Sequence, residues 1–354
     1  MDHSRHFYID GRWVAPARPR DLAVIDPSTE EVCATISLGD QADTDAAVAA
    51  ARRAFDGWAA TPVAERIDAL ERILAAYLKR SEDMAQAITA EMGAPIDWSR
   101  QQQVTSGDWH FEAFLAAARA MDWERPLGPH APGERIFHEP IGVVALITPW
   151  NWPMNQIALK VAPALLAGCT MVLKPSEISP LSGLVFAEIV DAAGLPPGVF
   201  NLVNGDGPGV GSQLSVHADV DMVSFTGSTR AGRLISKAAA DTIKRVSLEL
   251  GGKGANIIFS DADEKAVKRG VARCFGNSGQ SCNAPTRMLV QRDRYAAAVE
   301  IAAKAAEETP VINAHQEGRG IGPVVSAMQF DKIQALIQTG IDEGARLVAG
   351  GTGR

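Results

Sequence analysis

Four cysteines in 354 residues, at Cys33, Cys169, Cys274 and Cys282, are too few and too scattered for a disulfide framework. No CxxC pair or compact Cys/His cluster marks a metal site. The seven histidines do not gather either, and His110 and His138 read as structural or surface residues. No histidine follows a cysteine in a papain-like arrangement. Lysine and arginine form no long run, and the net charge of -8 suits neither nucleic acid nor an anionic membrane. No apolar run is long enough to cross a bilayer. The opening MDHSRHFYIDGRW lacks the apolar core of a signal peptide, so a reducing cytoplasm is the expected setting. What remains is an ordinary globular composition in a chain long enough for two or three domains.

Hydrophobic periodicity divides the chain. Residues 7–34 read as short strands and turns, punctuated by Gly11, Pro16, Pro19 and Pro27. Asp43 is the expected N-cap of an alanine-rich helix, and further helices are predicted at 62–80, 81–92 and 99–119. The Pro-, Gly- and charge-rich stretch 122–140 reads as a linker or an excursion from the first domain. From Ile141 strands alternate with helices. The strands are IGVVALITPW, TMVLKPS, VFNLVNG and MVSFTG, and the helices 155–167, 181–193, 208–216 and 229–239. That alternation predicts βαβ units and a mostly parallel sheet. Right-handed crossovers then gather the loops 149–153, 174–177, 205–211 and 226–229 along one edge. RVSLEL starts another unit, with strands NIIFS and TRMLVQ and helices at 263–275 and 292–308. A helix at 327–339 and a short strand at 345–348 complete the expected elements.

Several residues in these loops have the chemistry of a site. Cys282 follows Gly279, Gln280 and Ser281, where a constrained loop with backbone donors can serve a nucleophilic thiolate. On composition alone a lone cysteine is more often inert, and Cys169 and Cys274 read as buried packing residues. Glu249, expected to lie between two buried positions at Leu248 and Leu250, needs a partner or a raised pKa, and is either a general base or one half of a structural ion pair. Asn151, between Trp150 and Trp152, sits where an amide can donate to an oxyanion. Lys174 and Glu177 suit ribose hydroxyls, or simply a solvated loop. Gly205, Gly207, Gly209 and Gly211 are a poor GxGxxG, whereas FTGSTRAG places Gly227 and Ser228 at a strand–turn–helix junction fit for a pyrophosphate.

Taken together, ITPWNWP at 147–153, VLKPSE at 172–177, FTGST at 225–229, LELGGK at 248–253 and GNSGQSC at 276–282 resemble the aldehyde dehydrogenase superfamily, in order and spacing, over nearly the whole chain. The resemblance implies an α/β fold with a modified Rossmann cofactor domain and a partial α/β catalytic domain. It divides the chain into a cofactor domain of 1–121 and 141–251, an oligomerisation-arm excursion at 122–140, and an incomplete catalytic domain at 252–354. Cys282 matches the nucleophile that attacks an aldehyde, forming a thiohemiacetal and then a thioester. Asn151 and the backbone N–H of Cys282 match the oxyanion hole, and Glu249 the base that activates the hydrolytic water. The expected cofactor is NAD, with NADP as the alternative, since Glu177 would repel a 2′-phosphate. Its expected contacts are Ile147, Thr148, Pro149, Trp150, Lys174, Ser176, Glu177, Gly207, Gly211, Phe225, Thr226, Gly227, Ser228, Leu250 and Gly251.

The resemblance also implies more chain. The family's Glu–x–Phe–Gly–Pro segment does not occur before Arg354, so the chain is expected to be C-terminally truncated, to expose apolar surface and an unpaired sheet edge, and to turn over little. Two other readings stay open: a dehydrogenase that passes its thioester to coenzyme A, against which Glu249 argues, and a non-catalytic cofactor-binding fragment. The expected partners are a small aldehyde and further copies in a homodimer or homotetramer. Trp152 would favour an apolar or aromatic aldehyde, without deciding among aliphatic, aromatic and semialdehyde substrates.

Overall fold

The computed structural model describes residues 3–353. Strands β1 (Phe7–Ile9) and β2 (Arg12–Val14) pair antiparallel, and β3 (Asp21–Ile25) and β4 (Val32–Ser37) form a separate ribbon. The Pro- and Gly-rich stretch folds as another antiparallel ribbon, β5 (Glu124–Gly128) and β6 (Ala131–Phe137), which leaves Leu127 and Phe137 exposed. Then come β7 (Val143–Ile147), β8 (Thr170–Lys174), β9 (Phe200–Leu202), β10 (Met222–Gly227) and β11 (Arg245–Leu250), each separated from the next by helix. A last parallel pair joins β12 (Ala255–Ile258) to β13 (Arg287–Val290).

The main sheet runs β11-β10-β7-β8-β9-β1-β2. Its five βα strands are parallel, and β1 and β2 extend it antiparallel. The chain moves outward from β7 through β8 to β9, then returns to the other side of β7 to place β10 and β11. That reversal is a topological switch point, and the crevice outside the strand ends there is where an open α/β sheet takes its ligand.

Alternation along the strands feeds two cores. Val144 and Leu146 pack with helices Val63–Lys79, Thr105–Ala120 and Leu181–Ala193, while Val143, Ala145 and Ile147 pack on the other face with helix Gln41–Ala59, Val210 and Leu214. Both faces are covered, so β7 and β8 are buried from end to end.

Three local expectations change. The alanine-rich helix is capped by Asp40, not Asp43. Asp43 lies at N3 and returns a bond to the Asp40 backbone N–H at 3.0 Å, completing a capping box. The helix expected at 99–119 is interrupted: a π-helical turn, Ser99–Val104, precedes Thr105–Ala120. No strand forms at 345–348, where no neighbouring strand offers a ladder, and Leu347 and Val348 are exposed. Helix Ala327–Asp342 buries none of its residues, and Ile257, Phe259 and Leu289 beside the β12–β13 pair are exposed. The apolar surface expected from the sequence is therefore present.

Candidate functional site

Two loops meet at the end of β7. After Ile147 the backbone N–H of Thr148 donates to Lys174 O at 3.1 Å, extending the β7–β8 pairing by one residue. The chain then turns through Trp150, Asn151 and Trp152 into helix Pro153–Ala167, whose proline at N1 needs no N–H partner. The second loop follows helix Ala266–Phe275. There Asn277, Ser278 and Gly279 all have positive φ, of 55°, 57° and 75°. Two consecutive non-glycine residues in this region are uncommon and held only by their surroundings.

Those surroundings are visible. The buried Asn277 amide donates to Asn151 O at 2.9 Å and to Gln280 O at 3.2 Å. Gln103, from the π-helical turn, donates to Asn151 O at 3.1 Å and to Asn277 Oδ1 at 3.0 Å. Asn151 Nδ2 donates to Gln280 O at 2.9 Å, and Trp152 Nε1 to Ser281 Oγ at 2.8 Å. Ser278 Oγ reaches Gly322 O, and Val325 N–H reaches Gln280 Oε1. The loop that carries Cys282 is thus tied to the loop that carries Asn151 and to the segment around 322–325. The Cys282 thiol is exposed.

Glu249 departs from expectation. It is exposed on β11, an edge strand whose alternating pattern leaves Leu248 and Leu250 only half-buried, so it is not sandwiched between buried positions. It makes no salt bridge among the described residues, which removes the ion-pair reading. It is in register with Thr226 on β10, two positions beyond the Ser224–Ser247 pair. On that face the buried Lys160 donates to Ser224 Oγ at 2.9 Å; burial pushes its ammonium down to about 8, with Glu249 opposing. The loop after β11 returns to the nucleophile, since a Cβ on Gly252 would lie 3.4 Å from Cys282 O.

The residues expected around a dinucleotide do line the strand ends at the switch point. Lys174 is buried, not solvated: its ammonium donates to Gly205 O at 2.5 Å, Pro175 O at 2.9 Å and Glu177 at 3.4 Å. Burial lowers its pKa and Glu177 counters. Gly211 sits beside the Lys174 stem, Gly207 faces open space, and both lie in a π-helical turn capped by Asp206. Ser176 accepts from Ile178 N–H. Ile147 and Phe225 are buried at the strand ends, with Leu250 and Gly251 beyond. Ser228 caps helix Thr229–Ala240 through Ala231 N–H, which leaves other first-turn donors for an anion. The buried Thr226 hydroxyl has no protein partner. A Cβ on Gly227 would fall 2.5 Å from the Phe225 ring, so only glycine passes there. An apolar slot with an orphaned hydroxyl and a helix start suits a dinucleotide.

Cys282 opens onto a cleft of about 820 Å³ walled by Trp98, Trp109, Trp152, Asn155 and Arg273. Trp152 was legible as a wall. Trp98, Trp109, Gln103 and Asn277 were missed, because their roles rest on contacts across more than forty residues of sequence. Among the cysteines expected to pack, Cys169 is buried and Cys274 is half-buried. His110 is buried and bonds Asn155 at 2.8 Å, and burial lowers its pKa.

A family model described as the aldehyde dehydrogenase family matches residues 13–354. A 3-succinoylsemialdehyde-pyridine dehydrogenase from a Pseudomonas species is 53% identical over 356 residues, across 100% of this chain and 74% of that protein. The crystal structure of an aldehyde dehydrogenase from Bartonella henselae matches with a TM-score of 0.98 and 60% identity, over 99% of this chain and 74% of that one. Aldehyde dehydrogenase C from Pseudomonas syringae, crystallised as a mutant with NAD+ and octanal, matches with a TM-score of 0.97 and 50% identity, over 100% of this chain and 72% of that one.

Proposed function

We propose a catalytic assignment from one premise: the chain belongs to the aldehyde dehydrogenase family. The reaction is oxidation of an aldehyde to its carboxylic acid. The Cys282 thiolate attacks the aldehyde carbon and forms a thiohemiacetal. Asn151 Nδ2, which has one hydrogen on Gln280 O and a second to give, stabilises the alkoxide together with the Cys282 N–H. Bound NAD would supply the hydride acceptor that this carbon needs. A thioester then remains on Cys282. Glu249 takes a proton from water, the resulting hydroxide attacks the thioester, and the acid departs as the thiol is restored. The exposure of Glu249 suits a base that must meet water.

The switch-point crevice holds the dinucleotide in this reading. Thr226 through Ser228 and the helix start face its pyrophosphate, and Ile147–Trp150, Phe225, Leu250 and Gly251 line the slot. Lys174 positions Glu177, whose carboxylate disfavours a 2′-phosphate and so selects NAD over NADP. Residues 3–121 and 141–251 serve as the cofactor domain, and 252–353 belong to the catalytic domain. The β5–β6 ribbon is an oligomerisation arm for a dimer or tetramer. A reducing cytoplasm keeps Cys282 a free thiol.

The observation that carries the assignment is the set of hydrogen bonds tying the Asn151 loop to the Cys282 loop. The test is NADH formation from a panel of aldehydes by the purified chain, beside Cys282→Ala and Asn151→Ala. Turnover abolished by the first and cut about 100-fold or more by the second is expected. Turnover that survives Cys282→Ala would overturn the assignment.

A further inference from the structure

The walls of the Cys282 cleft are unusual for this protein in two respects. Three of its seven tryptophans face it. Trp98 and Trp152 lie with ring centroids 6.3 Å apart at 60°, and the Trp152 indole is fixed by its bond to Ser281, next to the nucleophile. Trp98 fills the space beside Gly276, where a Cβ would come within 3.2 Å of the ring. Trp109 projects from helix Thr105–Ala120 at the cleft and is 65% exposed. Trp109 thus presents an apolar ring face on the same wall as Trp98 and Trp152.

The second respect is charge. The chain carries -8 overall, yet among the described residues no Asp or Glu lines this cleft. Its charged lining consists of Arg269 and Arg273. Arg269 is neutralised by two bonds to Asp263, at 2.7 and 2.5 Å. Arg273 makes no salt bridge and no side-chain hydrogen bond among the described residues. Arg273 also borders an adjoining hollow that holds Asp263, but Asp263 is bonded to Arg269, so the Arg273 guanidinium is left to receive an anionic oxygen pair from the cleft.

We propose that this cleft selects aromatic aldehydes bearing a carboxylate, with the ring held between the indoles and the carboxylate on Arg273. The inference rests on the assignment of Cys282 as the nucleophile and names the substrate class that this site takes. Arg273 and Trp109 are specificity-determining residues in it. Neither touches the reacting carbon.

The test uses the full chain and two probes, 4-carboxybenzaldehyde and its methyl ester, which share ring and aldehyde and differ in charge. Each competes with iodoacetamide for Cys282, and labelling of that residue is followed by peptide mass, so turnover is not required. The carboxylate is expected to protect at about tenfold lower concentration than the ester, the effect of one charge-assisted bond. Arg273→Gln is expected to remove that preference and Arg273→Lys to restore part of it. Trp109→Ala is expected to weaken protection by both aryl probes relative to octanal. Equal protection by acid and ester, or a preference that persists in Arg273→Gln, overturns the proposal while leaving the nucleophile reading intact. A Cys282 that no aldehyde protects removes both.

Discussion

Asn277 fixes Asn151 from below: its side-chain amide donates to the Asn151 carbonyl oxygen at 2.9 Å, while its own backbone is held at a φ of 55°. The residue assigned to the oxyanion is therefore oriented by one 126 positions away. Asn277→Ala removes that bond and leaves the Gln103 amide without one of its acceptors. A loss of about 1–3 kcal/mol in stability is expected, readable as a lower urea midpoint. NADH formation should fall through kcat rather than KM, because the lost orientation acts on the developing charge.

Gly227→Ala forces a methyl group to within 2.5 Å of the Phe225 ring as it now lies. Overpacking of this kind costs about 1–3 kcal/mol. The ring is buried near the end of β10 that the proposal gives to the cofactor, so its displacement should weaken NAD binding in a fluorescence titration. Labelling of Cys282 by iodoacetamide should continue, since the variant leaves that loop untouched. Undiminished NAD affinity would remove this glycine from the cofactor site.

Glu177 lies 3.4 Å from the Lys174 ammonium, its side chain one-third exposed. Glu177→Gln keeps the size and removes the charge. The ratio of kcat/KM for NAD over NADP is expected to fall by about tenfold, as like-charge repulsion of a 2′-phosphate is relieved. An unchanged ratio would place cofactor selection elsewhere.

Glu91 predicts a pH signature of the fold. It is fully buried and accepts from the N–H groups of Leu181 and Ser182 at the start of helix Leu181–Ala193. Burial raises its carboxyl to about 8 from an ordinary 4.5, against the opposing pull of those donors. In that interval the folded chain holds a proton that the unfolded chain releases. Its contribution to stability is therefore complete below the unfolded value and is lost as pH climbs through about 8. Tm measured from pH 5 to 8.5 should decline more steeply in the native chain than in Glu91→Gln. Parallel curves would show that the carboxyl titrates normally.

Much of this architecture was legible because its signals are local. The strands around Val143–Ile147 and Thr170–Lys174 announce themselves as apolar runs, and Gly93, Gly168 and Gly194 stop their helices as left-handed caps. Cys282, Asn151 and Glu249 stood out by residue type and motif. What stayed hidden depends on contacts between segments. Gln103 is one of three consecutive glutamines in the expected helix 99–119, nothing local sets it apart from Gln101 and Gln102, and it is the observed π-helical turn that carries it to Asn151 and Asn277. The exposure of Glu249 also escaped, because Leu–Glu–Leu reads as a buried strand until β11 is known to lie at the sheet edge. The N-cap was read one turn late for a simpler reason: both ends of this capping box are aspartates, and Asp43 has the same capping chemistry as Asp40, which holds the position.

The Gln103–Asn277 bond spans 174 residues. Closing so long a loop is slow relative to forming the βα units from β7 to β9, whose crossovers are short in sequence. During synthesis, β7, β8, β10 and the Thr229 helix start all emerge before Cys282 does. The order of birth thus completes the strand ends that the proposal gives to the dinucleotide before the thiol it assigns as nucleophile exists, and the bonds that tie the Cys282 loop to Asn151 can close only afterwards.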